Sequence, residues 1–254
     1  MDELLLEVDG RAVEVAHRAG LGPVILLVHG AGGCAAVWAP VAAHLGGFEV
    51  LAPSLPGRGR SAGDAFDDAT AAGAWLARAI AALDRGPPIL VGHSYGGAVA
   101  LEAALAGAPL AGLALVATGA RLRVHPSVLA AAARAAEGGS PMSTSFAFYD
   151  APRAAIEGYE RAAGATPPSA TRADWIACDR FDRLGDPGAL ARLGTPALVL
   201  GGAADPLTPP KYHERLAGAL GRAQLVIVPG RGHMLPWEDP ARFAREVRAW
   251  AAAL

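Results

Sequence analysis

The 254-residue chain is poor in cysteine, lysine, aromatic residues and charge, and each shortage excludes something. Two cysteines, Cys34 and Cys178, cannot build a disulfide scaffold, and nothing in their spacing resembles Cys-x-x-Cys. A secreted mini-fold and a zinc ribbon therefore drop out, and a reducing, cytoplasmic setting is expected. Among 22 basic residues only Lys211 is a lysine, and 24 acids bring the formal net charge to −2. With no basic run to follow a phosphate backbone, nucleic acid is not expected as a partner. Met1-Asp2-Glu3 is acidic and the apolar stretch Leu4 to Leu6 is too short for a signal peptide. The one stretch that could be mistaken for a membrane span, Ala103 to Ala120, carries no charge but is interrupted by Gly107, Pro109 and Gly112, which suits a helix end, a turn and a buried strand. No His-Glu-x-x-His or comparable spacing points to a metal. The 32 Gly and 20 Pro make about a fifth of the chain, below the roughly 25–30% of low-complexity sequences.

What is present is a strand and helix rhythm. Glu3–Val8 and Arg11–Ala16 alternate in polarity around Asp9-Gly10, a pair suited to a tight hairpin turn, so an N-terminal antiparallel edge is expected. Val24–Val28 is apolar without alternation, as a strand buried on both faces must be. Strands then recur at Phe48–Ala52, Ile89–Val91, Leu110–Ala117, Ala197–Leu200 and Leu225–Val228, separated by helical stretches from about Asp67 to Asp84, from the elbow to about Ala106, and from about Pro210 to Leu220. In the last helix Asp239 is placed to cap, Pro240 stands at the first position, and Phe243, Val247 and Trp250 share one face. The fold class expected is α/β: a mostly parallel central sheet with helices on both faces. Between residues 119 and 193 no strand run appears and the remaining aromatics gather, so a helical insertion is expected there. The core is then 1–118 with 194–254.

Three places carry chemistry. Gly92-His93-Ser94-Tyr95-Gly96 matches G-x-S-x-G and falls between a strand and a helix, where a serine is held on a tight turn with its oxygen exposed. Such a hydroxyl is a weak nucleophile without a base. His233 follows the last strand and Asp205 the one before, and the carboxyl ends of parallel strands are where catalytic groups collect. Taken singly, Asp205 also reads as a turn-initiating residue before Pro206 and His233 as a loop histidine; the order Ser, Asp, His after three separate strands favours a triad. The third place, His29-Gly30-Ala31-Gly32-Gly33-Cys34-Ala35, admits two readings. Gly30-x-Gly32-x-x-Ala35 fits a dinucleotide fingerprint, yet Pro53 and Ser54 stand where the ribose-binding acid belongs. The other reading makes the Ala31 amide an oxyanion donor opposite that of Tyr95.

His29-Gly30, Leu55-Pro56-Gly57-x-Gly59-x-Ser61, Gly92-His93-Ser94-Tyr95-Gly96-Gly97, Asp205-Pro206 and Gly232-His233 together resemble the α/β-hydrolase family. The resemblance covers the core on both sides of the insertion. It implies Ser94 as nucleophile, His233 as general acid and base, Asp205 as its orienting partner, Ala31 and Tyr95 as oxyanion-hole amides, and no cofactor. One departure stands out: many members read Asp-Leu-Pro-Gly-His-Gly, and this chain has Ser54-Leu55-Pro56-Gly57-Arg58-Gly59. The resemblance also makes residues 119–193 a cap over the pocket, with Phe146, Phe148 and Trp175 as expected substrate contacts. The activity it implies is hydrolysis of a small carboxylic ester or related carbonyl compound. Carbon-carbon bond hydrolysis, thioester hydrolysis, perhydrolysis, nicotinamide-dependent oxidoreduction and ligand reception without turnover remain as alternatives.

Overall fold

The computed structural model describes residues 1–254. One eight-stranded sheet runs in the order β1-β2-β4-β3-β5-β6-β7-β8. Its strands are β1 (Asp2–Val8), β2 (Arg11–Arg18), β3 (Val24–Val28), β4 (Glu49–Pro53), β5 (Ile89–His93), β6 (Gly112–Val116), β7 (Ala197–Gly202) and β8 (Ala223–Val228). The hairpin β1-β2 is antiparallel and β2 also runs antiparallel to β4, while β4 through β8 are parallel. Asp9 and Gly10 both take positive φ, 54° and 73°, as the two centre residues of a hairpin turn matched to strand twist do.

Alternation of side chains along the strands sorts the apolar runs onto two faces. Leu26, Leu90, Leu113, Leu115 and Val199 pack beneath α2 (Ala69–Ala82), α3 (Tyr95–Leu105) and α8 (Pro210–Ala219). Ile25, Leu27, Val91, Ala114 and Leu200 face α1 (Ala39–Ala42), α9 (Leu235–Glu238) and α10 (Pro240–Ala251). In α10 the Asp239 side chain accepts from the Arg242 amide, with Pro240 opening the helix, and Phe243, Val247 and Trp250 are buried. In α2 the cap is Asp68, whose carboxylate accepts from Ala71.

Between β6 and β7 the chain leaves the sheet to form α4 (Pro126–Ala136), α5 (Arg153–Ala162), α6 (Pro168–Arg180) and α7 (Pro187–Arg192). This is the helical insertion, and α6 lies against α4 and reaches α3. No helix is long and apolar enough to cross a membrane. Strand order reverses between β3 and β5, since β4 lies to one side of β3 and β5 to the other. A crevice at the carboxyl ends of the strands is expected at such a reversal, and the 29–33 loop and the serine turn both sit there.

Candidate active site

Ser94 follows β5 directly and precedes α3, with φ 54° and ψ −117°, a backbone region that costs about 1–3 kcal/mol for a residue with a Cβ. Close packing of backbone on backbone explains the flanking glycines. A Cβ at Gly92 would stand 2.2 Å from the Gly96 carbonyl oxygen, and one at Gly96 would stand 2.4 Å from that of Val28. The Ser94 amide donates to the Val116 carbonyl at 2.8 Å, so β6 fixes the turn from the other side.

The structure brings together the three residues that the sequence separates. His233 Nε2 lies 2.9 Å from Ser94 Oγ, and His233 Nδ1 lies 2.9 Å and 3.1 Å from the two oxygens of Asp205. With Nδ1–H donating to the carboxylate, Nε2 is left as the acceptor for the serine hydroxyl. All three side chains are buried. The Asp205 carboxylate also accepts from the amides of Leu207 and Thr208 and from the Thr208 hydroxyl, each at 2.8 Å. Burial alone would raise the Asp205 pKa. The facing His233 and these hydrogen bonds outweigh it and hold the group at about 2. Thr208 is a site residue that sequence reasoning passed over, although Asp205-Pro206-Leu207-Thr208 carries the spacing of an aspartate-initiated turn.

Tyr95 follows Ser94 as the first residue of α3, and Ala31 lies in the loop after β3. Neither amide has an acceptor among the turn, loop and cap hydrogen bonds of the backbone. The Tyr95 ring is fully buried, so this residue meets the site through its main chain. Ser94 and His233 open onto a cavity of about 160 Å³ lined by Leu122, Phe146 and Trp175 of the insertion and by Leu207 and Thr208 of the core. Phe148 does not line it, which corrects the expectation from sequence. The 3₁₀ turn Ser145–Ala147 ends in an extended Phe148, whose ring packs edge-on against Tyr159 at 6.1 Å.

The 29–33 loop is braced from both sides. His29 Nδ1–H donates to the Gly30 carbonyl at 2.9 Å and its Nε2 accepts from the Leu55 amide at 3.2 Å, so both nitrogens are used in the neutral ring. Ser54, at the place where a dinucleotide-binding acid would stand, instead accepts the Ala35 amide at 3.0 Å. From the insertion, Asp174 of α6 accepts the Gly32 amide at 2.8 Å and receives both terminal nitrogens of Arg58, at 2.6 Å and 2.9 Å. Arg58 Nη1 also reaches the Gly33 carbonyl at 3.4 Å. Arg58 is 2% exposed and Asp174 0%, so this is a buried ion pair that ties the insertion, the 29–33 loop and residues 54–59 together. The departure at Arg58 is thus matched by a carboxylate 116 residues further on.

Three further histidines are buried near Ser94, Asp205 and His233. His93 donates from Nε2 to the His233 carbonyl at 2.9 Å, and burial holds its pKa near 3; burial likewise holds His29 to about 3 and His213 to about 4. In each case the folded pKa is depressed from the ordinary 6.5. The unfolded chain therefore takes up protons that the folded chain refuses, and stability is lost as pH falls below about 6.5 toward 3–4. Each histidine contributes a slope of about 1 kcal/mol per pH unit across that window. Denaturant midpoints measured from pH 7 to pH 4 are expected to drop steeply; a flat profile to pH 4 would contradict the burial of these rings as neutral groups.

The sheet order and the serine turn between strand and helix define an α/β-hydrolase fold. A model of the alpha/beta hydrolase family matches residues 25–246, and the chain belongs to that family. A polyketide synthase of Burkholderia thailandensis, ThaQ, is 33% identical over 244 residues that cover 90% of this chain. This chain spans only 12% of the length of that synthase. Among solved structures, a thermophilic esterase is 29% identical with a TM-score of 0.84, covering 99% of this chain and 98% of its own. A thermophilic esterase from Thermogutta terrifontis, in a malate-bound form, is 26% identical with a TM-score of 0.80, covering 100% and 99%.

Proposed function

We propose that this chain is a serine hydrolase that cleaves a small carboxylic ester or related carbonyl compound by way of an acyl-enzyme. The observation that carries the proposal is the unbroken hydrogen-bonded path Ser94–His233–Asp205, with 2.9 Å at each of its two links. Ser94 Oγ attacks the carbonyl carbon as its proton passes to His233 Nε2, and the resulting imidazolium is stabilised by Asp205. The negative charge on the former carbonyl oxygen is met by the amides of Ala31 and Tyr95. His233 then protonates the leaving alcohol, and in the second half it takes a proton from the water that releases the acid. In this reading residues 1–118 and 194–254 form the catalytic core, and 119–193 the cap that closes the acyl cavity through Phe146 and Trp175. No cofactor takes part in any step.

The similarity to two thermophilic esterases supports ester chemistry over the other reactions that the same residues would serve. A panel of short activated esters, thioesters, β-diketones and peracid-forming conditions separates them. Short esters are expected to turn over fastest. Turnover confined to β-diketones, or to thioesters, would replace the ester reading with that one, and tight binding of NAD or NADP would point to the oxidoreductase alternative.

A further inference from the structure

On the far side of the chain segment that walls the serine cavity lies a second hollow, of about 450 Å³. One wall is Ala120, Arg121 and Arg123; the other is Lys211, Tyr212 and Arg215 of α8, with Leu184 of the insertion completing it. Four cations face this space and no carboxylate lines it, in a chain whose acids outnumber its bases 24 to 22. The chain's single lysine is among them. Only Arg121 is paired, with Asp182 at 3.1 Å, and Lys211 and Arg215 stand one helical turn apart on α8 so that both reach the same opening.

The walls are fixed rather than loose. Residues 120–122 are strapped to the segment before α7 by hydrogen bonds from the Arg183 amide to Ala120 O at 2.7 Å and from the Leu122 amide to Phe181 O at 3.1 Å. On the other side Leu216 and His213 bury α8, and the Tyr212 ring lies so near Gly119 that a Cβ there would come within 3.0 Å of it. The hollow and the serine cavity share Arg123. The cavity beside Ser94 is small, about 160 Å³, so a substrate longer than a short acyl group has to extend beyond it.

We propose that this basic hollow is an anchor for an anionic group, a phosphate or a carboxylate, carried by the substrate at a distance from the carbonyl that Ser94 attacks. The inference rests on the serine-hydrolase reading and deepens it by naming the substrate class: an acyl compound with a negatively charged end. The anchoring charge is exposed to solvent, so its contribution is screened by salt. Cations around a low-lying pocket raise local anion concentration and hold the ligand through charge-assisted hydrogen bonds.

The test pairs two esters of equal length, one neutral and one ending in a carboxylate or phosphate, against the wild-type chain and the double variant Lys211→Gln, Arg215→Gln. Both positions are exposed and lie outside the triad. Wild type is expected to favour the anionic ester in kcat/KM by about tenfold at low salt, mostly through KM. That preference is expected to collapse in the double variant and at high salt, while neutral-ester turnover stays the same. Lys211→Arg, which keeps the charge, is expected to retain it. Equal use of the two esters by wild type, or a preference that survives the double substitution, would overturn the proposal. A thermal shift with inorganic phosphate that the double variant loses, with no preference between the esters, would show a site for free anion and overturn the substrate anchor. Turnover of the neutral ester reports separately on the hydrolase reading, so failure of one claim is not mistaken for failure of the other.

Discussion

Replacing Ser94 by alanine is expected to lower kcat for a short ester by about 10⁶-fold while leaving the fold intact. The size of the loss follows from cooperation within the path: without the serine oxygen, His233 has no proton to accept and Asp205 orients a base that serves nothing. In the proposed mechanism the residual rate comes from the Ala31 and Tyr95 amides and from binding. Stability is expected to hold because alanine keeps the Cβ, so the strain at φ 54° neither rises nor falls. The serine's bond to His233 at 2.9 Å is the one polar contact removed. Thermal midpoints of the two proteins should agree within a few degrees, and steady-state rates with an activated ester measure the rest.

The second large effect falls on Asp174, which lies in the insertion and outside the triad. Asp174→Ala strips a buried guanidinium of its carboxylate and the Gly32 amide of its acceptor. Removing one partner of a buried pair costs about 3–5 kcal/mol, because the other charge stays behind unpaired. For a chain of this size that is a fall in Tm of about 6–20 °C. Burial would lower the Arg58 pKa, yet Asp174 more than offsets it and the group is raised, so Arg58 remains charged in the variant's folded state only at a cost. Activity should fall as well, since Asp174 and Arg58 hold Gly32 and Gly33, the neighbours of the Ala31 amide. Asp174→Asn keeps an acceptor for Gly32 and loses the charge. It is expected to recover part of the activity and less of the stability, a split that separates loop positioning from ion pairing. Denaturant melts with parallel ester rates read both quantities.

Much of this fold was legible in the sequence because its parallel strands are continuous apolar runs between glycine-rich turns. Val24–Val28 was expected to its ends, and the Asp9-Gly10 turn to its residues. Edges shifted where composition blurs them: β6 begins at Gly112 rather than Leu110, and β8 at Ala223 rather than Leu225. The elbow was visible because its spacing is enforced locally, by glycines whose Cβ atoms would strike main-chain oxygens. The ion pair was not. Arg58 showed as a departure in a supporting loop, but Asp174 lies far along the chain among ordinary helix residues, and only the folding of the insertion onto the core brings them together. Phe146 and Phe148 failed to separate for a related reason. They lie in a short 3₁₀ turn and its extended exit, where neither a period of 3.6 nor of 2 says which ring faces the cavity. His29 and His93 carried no sequence mark of burial, and their neutral state is a product of packing.

The central claim is that Ser94 is a nucleophile activated by His233 and Asp205, and covalent labelling tests it without assuming a substrate. The chain is incubated with a fluorophosphonate, which phosphonylates an activated serine, and the intact mass and the modified peptide are then read. The account predicts one adduct per chain, located on Ser94, formed rapidly at neutral pH and absent from Ser94→Ala. No adduct on the folded wild-type chain, or an adduct that persists in Ser94→Ala, would contradict it.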